Sequence, residues 1–274
     1  MLEIRKYCQS GSLALWGTVL CYFYFSDRIG SYLHPSFHLW TVVSGIILIL
    51  MAVGTLFFPL TDDCCEADCV HPQGPKGIGG LLLSTAMLVV PLMVTTAVSP
   101  SQFGATAVMN RGIIDTIGDL PGYEPFVEPP LPTEDGSVGP EGAAVDAGSY
   151  LLKNDTGQVV ASTVDLLYAA QEATMRKDFE NKEIEVVGQY LPARANNPTG
   201  DRFSLVRMFI MCCAADARPV AITVKTPKPE NLPDMSWVKV TGKATFPIEG
   251  GKQVPVIVAD QVVPCDPPPE SFIY

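Results

Sequence analysis

Residues 237–263 read WVKVTGKATFPIEGGKQVPVIVADQVV. Two runs rich in β-branched residues flank EGGKQ (249–253), a composition that predicts strand, hairpin turn, strand. Working back along the chain, RPVAITVKT (218–226), RFSLVRMFIMC (202–212) and EIEVVGQYL (183–191) are runs of the same kind, separated by Pro, Gly, Asn and Asp. Five short strands predict a small all-β domain, and an OB-like barrel is the closure that removes the edges five strands would otherwise leave open. TPKPENLPDM (226–235) falls where many OB barrels place a helix, but its three prolines predict an irregular loop.

Before the strands, STVDLLYAAQEATMRKD (162–178) opens with Ser162 and Asp165 at capping-box spacing and carries Val164, Leu166, Leu167 and Ala170 on an amphipathic pattern. A short helix is therefore expected to lead the β domain, over 161–274. Upstream, PGYEPFVEPPLPTEDGSVGPEGAAVDAG (121–148) is rich in Pro, Gly and acid, and such a segment cannot bury enough apolar surface to offset the entropy of ordering it. It predicts an acidic Pro/Gly linker over 99–160.

The first 98 residues have another character. Stretches at 7–26, 39–60 and 78–98 hold no charged side chain until the edges, each with the length a helix needs to cross about 30 Å of hydrocarbon. The expected architecture is three transmembrane helices, the linker and the OB-like barrel, placing the chain in the plasma membrane as a multi-pass protein with the lipid bilayer as its first partner. Arg5 and Lys6 could head a signal peptide, but no small-x-small cleavage pattern follows Phe25. Arg5, Lys6 and Lys76 fall on one side of the spans and Arg28 and Arg111 on the other, which orients the N-terminus to the cytoplasm and the β domain to the outside.

The formal net charge of −11 comes mostly from one segment. Residues 112–152 hold eight acidic groups and no Lys or Arg, whereas the chain from 151 onward carries 13 basic and 15 acidic residues. Neither part offers the basic face that binding a polyanion requires, so nucleic acid is not an expected partner.

Chemistry concentrates in the cysteines. RMFIMCCAADARPVAITV (207–224) places Cys212 and Cys213 at the end of a strand run, with Asp216 following in what reads as a turn. Adjacent thiols beside a carboxylate can hold zinc or another soft transition metal, form or exchange disulfides, or simply be small apolar side chains at a strand end. TDDCCEADCVHPQG (61–74) gathers Cys64, Cys65, Cys69 and His71 in one loop, a second candidate metal set with unlike spacing to a structural zinc finger. Both sites read CCxAD. Cys265 is a candidate third ligand or disulfide partner for the first. His34 and His38, four apart in YLHPSFHLW (32–40), are a possible secondary pair, beside Tyr32 and Trp40 of an aromatic belt.

As an enzyme the chain is poorly equipped. It has no His after His71, no Ser-centred nucleophile elbow, no phosphate-cradling glycine loop and no HExxH helix. A membrane-anchored thiol redox protein is the enzymatic alternative, weakened by the lack of a CxxC motif. A membrane-anchored binding domain without a transport role is the other.

YLHP (32–35), MCCAADARPV (211–220), SWVKVTGK (236–243) and VPCDPP (263–268) together resemble the YcgQ-like family of two-component permease subunits, which join an N-terminal membrane part to a C-terminal domain of unknown function. The resemblance covers nearly the whole chain except the linker. It implies a non-enzymatic accessory subunit with a separate, larger polytopic permease as partner, and it leaves the cargo unspecified.

Overall fold

The structure is a computed structural model that describes residues 2–57, 78–98, 103–123, 151–193, 197–227 and 232–274. The chain divides into two compact units. One comprises Met1–Gln102 together with Cys212–Ala214, the other Phe103–Met211 and Ala215–Tyr274.

The first unit holds α1 (Leu2–Phe25), α2 (His38–Phe57) and α3 (Ile78–Val98), with short 3-10 turns at Arg28–Ser31 and Pro35–Phe37. The stretches Pro35–Phe57 and Ile78–Ala97 are long and apolar enough to cross a membrane. The first helix, expected as a third span, is less apolar, because Glu3, Arg5, Lys6, Gln9 and Ser10 occupy its opening turns. It is tied instead to α2. Gly17 lies against Gly45 so closely that a Cβ on Gly17 would come 2.6 Å from the Gly45 carbonyl oxygen, and the buried Ser10 hydroxyl donates to Ala52 O at 2.7 Å. Small residues at the crossing let the two backbones approach closely.

The second unit is a closed five-stranded barrel. Its strands are β2 (Glu183–Pro192), β3 (Arg202–Phe209), β4 (Arg218–Lys225), β5 (Trp237–Thr245) and β8 (Val256–Pro264), each beginning and ending within a few residues of the run expected for it. The ring passes β2–β3–β4–β8–β5 and returns to β2; β4 and β8 are parallel and every other neighbour is antiparallel. Numbered along the chain, that is first–second–third–fifth–fourth–first, the OB-like connectivity. Alternate side chains point inward, so Ile184, Val186, Leu205, Val220, Val224, Val238, Val240 and Ile257 fill the interior. The hairpin read at 249–253 is present as β6 (Ile248–Glu249) and β7 (Lys252–Gln253). Thr226, Pro227 and Leu232–Met235 form no helix, in keeping with the irregular loop expected there; residues 228–231 lie outside the described residues.

The leading helix is α5 (Thr163–Gln171), followed by α6 (Ala173–Phe179). The Ser162 hydroxyl accepts from Asp165 N at 3.1 Å and the Asp165 carboxylate from Ser162 N at 2.8 Å, closing the expected capping box. Leu166, Leu167 and Ala169 of α5 are buried in the barrel core.

The expected linker is corrected at both ends. Residues 103–123 belong to the barrel unit: α4 (Ala105–Asn110) buries Val108 fully, Ile114 joins β4 by donating to Pro219 O at 2.8 Å and accepting from Ala221 N at 2.9 Å, and Ile117 and Leu120 enter the core. The segment looks like solvent-exposed linker in the sequence because Asp115 and Asp119 sit between its apolar residues, yet those carboxylates stay exposed while Ile114, Ile117 and Leu120 point inward. At the other end β1 (Val159–Val160) runs parallel to β2. The stretch 124–150, which carries most of the acid, lies outside the described residues. A last strand, β9 (Phe272–Ile273), runs parallel to β3, and Arg207 holds the tail down by donating to Glu270 O at 2.7 Å and Phe272 O at 3.3 Å with its guanidinium stacked 5.3 Å from the Trp237 ring.

Candidate thiol and metal site

β3 ends at Phe209, three residues before the first thiol, so Cys212 and Cys213 sit in the β3–β4 turn rather than in the ladder. That placement frees them from the alternation of a strand, which would send successive side chains to opposite faces. Ile210 is fully buried and its N–H donates to Ile273 O, anchoring the entry to the turn. Within the turn Met211 N donates to the Asp216 carboxylate at 3.2 Å, folding the aspartate back toward the start of the loop. At the exit, Arg111 donates to Ala217 O at 2.8 Å with its guanidinium 4.8 Å from the Phe103 ring.

The result is a compact set: the sulfurs of Cys212 and Cys213 and a carboxylate oxygen of Asp216 all lie within 4.8 Å of one another. Cys212 is exposed; Cys213 and Asp216 are half-buried. Two thiolates and a carboxylate are a donor set suited to zinc or a softer transition metal, since thiolate ligands select such ions over magnesium or calcium. Among the described residues this is the one group of three such donors.

Backbone bonds hold Cys212–Ala214 within the first unit. Ala214 N donates to Tyr32 O at 2.7 Å, His34 N donates to Cys212 O at 3.0 Å, and Leu33 and Cys213 form an antiparallel bridge. Tyr32–His34, within the YLHP stretch, is thus hydrogen-bonded to Cys212–Ala214 of the same unit. The same residues border an apolar cleft of about 520 Å³ walled by Leu20, Leu33, Phe37 and Trp40 together with both cysteines.

Among the described residues, the other expected site residues, His34, His38 and Cys265, do not join this set. His34 Nδ1 accepts from Ser36 N at 3.2 Å and caps the Pro35–Phe37 turn, while His38 Nε2 bonds Leu33 O at 2.9 Å, so both rings serve local backbone geometry. Cys265 lies just past β8, where burial pushes its thiol above the ordinary range against the opposing pull of Lys239, and it is not in the cluster with Cys212. Cys64, Cys65, Cys69 and His71 lie outside the described residues. What sequence reasoning missed is the scaffold of the turn. In the sequence Arg111 is only a charge that orients the spans, and nothing in its spacing signals that it braces a carbonyl 106 residues away.

Residues 163–274 match the DUF1980 C-terminal domain. This DUF1980 match begins in the capped helix α5, takes in all five barrel strands and contains the whole Cys212–Asp216 turn. It accords with the resemblance drawn from MCCAADARPV, SWVKVTGK and VPCDPP, and it stops short of YLHP. No curated protein matches the chain.

Proposed function

We propose that this chain is a non-enzymatic accessory subunit of the plasma membrane that works beside a separate polytopic permease and presents a soft-metal site, for zinc or a similar ion, on the turn Cys212–Cys213–Asp216. The observation that carries the reading is the convergence of two thiols and a carboxylate within 4.8 Å. It is supported by the helices Pro35–Phe57 and Ile78–Ala97, which suit a membrane anchor, and by the DUF1980 match over the part that holds the turn. With α1 counted as a third span, the helices are still too few to enclose a transport pathway, which favours a partner that supplies one. The orientation that goes with this reading puts the N-terminus in the cytoplasm and the barrel outside.

Affinity purification in mild detergent tests the partnership. A polytopic membrane protein should copurify in stoichiometric amount; recovery of this chain alone from several detergents would rule the accessory role out. Thiol trapping on the same material separates the redox alternative, because a redox protein would show a Cys212–Cys213 state that changes with added reductant, whereas a metal site would show protection that chelators remove.

A further inference from the structure

A second site lies on the barrel away from the thiols. The outer faces of β3 and β4 form the floor of a cleft of about 220 Å³, with Ser204 and Thr223 paired across the two strands. One wall is the β6–β7 hairpin with Glu249 and Pro255, another is Asp115 in the segment before the barrel, and Arg202 stands at the edge. In barrel order β3 and β4 are the second and third strands, and the hairpin is the connection from fourth to fifth. That face, bordered by that loop, is where OB barrels take their ligands.

The walls are held in place before any ligand arrives. Arg202 Nη1 meets both Glu249 oxygens, at 3.0 and 3.2 Å, and clasps the hairpin to the second strand. Asn197 ties together the ends of the first and second strands: its Nδ2 donates to Arg202 O at 2.9 Å and to Ala193 O at 3.4 Å, and its Oδ1 accepts from Arg202 N at 3.2 Å. The hairpin is braced at its base by Gln253 Nε2 to Phe246 O at 2.9 Å and Val254 N to Pro247 O at 3.0 Å. Prearranged polar groups in a concave site are what a specific small-molecule pocket needs.

The lining also selects the ligand. Two carboxylates stand against one guanidinium that is already matched, so the cleft repels phosphates and the oligonucleotides that other barrels bind here. Carboxylates only accept, the guanidinium only donates, and the Ser204 and Thr223 hydroxyls do both. A neutral molecule bearing several hydroxyls meets all three kinds of group without carrying a charge into the cleft. The volume is below the roughly 300–1,000 Å³ typical of drug-sized ligands and suits a single ring. We infer that this face binds a saccharide, one pyranose unit at a time, with Asp115, Ser204 and Thr223 bonding its hydroxyls and the Arg202–Glu249 clasp setting its orientation. The inference does not depend on the accessory-subunit reading.

The test uses the full chain in a polyoxyethylene detergent, because sugar-headed detergents would compete. Saturation-transfer NMR is run with glucose, N-acetylglucosamine and maltotriose as probes, and with putrescine as a cationic control. At least one sugar should receive transfer at millimolar concentration, and Asp115→Asn and Thr223→Ala should each weaken it about tenfold, the loss expected for one hydrogen bond in such a site. Asp115 is exposed, so its variant keeps the fold even if a strand variant does not. Absence of transfer to every sugar, transfer unchanged in Asp115→Asn, or binding of putrescine with no sugar would each overturn the inference.

Discussion

Alanine at Gly242 should cost the barrel about 3 kcal/mol or more, the upper end of what overpacking a core produces. A Cβ at that position would sit 2.2 Å from Val258 O, 2.7 Å from Ala259 Cα and 2.9 Å from Val258 C. All three are backbone atoms of β8, the strand on which barrel closure depends, so no side-chain rotation relieves the clash. Gly242 also lies where the β5–β8 register shifts: Thr241 pairs with Gln261 and Gly242 with Ala259, so Asp260 is the extra residue of a bulge that bends β8, the fifth strand of the ring. With folded domains stable by only about 5–15 kcal/mol, such a loss is a large fraction of the whole. Thermal melts of the full chain in detergent, followed by the β signal, should fall by about 6–12 °C. Gly188→Ala is the internal comparison: its Cβ would meet the buried Leu205 Cγ at 2.8 Å but no backbone atom nearer than Val206 O at 3.2 Å, so its loss should be smaller. Equal melts for Gly242→Ala and the unmodified chain would mean that the two strands do not approach as described.

In a full chain whose Cys64, Cys65 and Cys69 are already serine, so that the other candidate set is silent, replacing both Cys212 and Cys213 by serine should abolish the remaining zinc binding, lowering affinity more than about 100-fold, since even groups that merely orient a ligand are worth 10–100-fold. The same change should leave the melt in place. Cys212 is exposed, Cys213 is half-buried, and both lie outside the strands, so serine hydroxyls there keep access to water. Calorimetric zinc titration and a melt on the two proteins give the answer. Affinity should also fall as pH is lowered, because a thiol must lose its proton before it binds the metal. No zinc binding by the unmodified chain at micromolar concentration would remove the metal from the proposal, and a lower melt without a change in zinc binding would make the cysteines packing residues.

The sequence disclosed most of what local chemistry controls. The five barrel strands follow from β-branched runs stopped by Gly, Pro, Asn and Asp, the α5 cap from Ser162 and Asp165, and the hairpin from Gly250 and Gly251. The thiol turn was legible too, because Asp216 three residues after Cys213 can be brought back by a turn. What stayed hidden is long-range. Nothing in the composition of 103–123 shows that Ile114 pairs with β4, since its acidic neighbours give it the look of a linker. The bond between the Tyr32–His34 stretch and Cys212–Ala214 joins segments about 180 residues apart, and no periodicity carries such a pairing. The polar cleft is hidden in the sequence for a similar reason: Asp115, Arg202 and Glu249 come from three separate stretches and meet only once the ring has closed.

The buried side chains of 103–123 also set limits on modularity. Val108, Ile114, Ile117 and Leu120 are between 0% and 6% exposed, and all four precede the residues matched as the DUF1980 C-terminal domain. A fragment cut at the start of that match would keep every barrel strand and lose four pieces of its own interior, leaving an apolar groove for other chains to fill. The heritable unit is thus longer than the recognisable one: recombination or truncation that respects only the conspicuous strands would yield a sticky remnant, and the portable piece begins at Phe103.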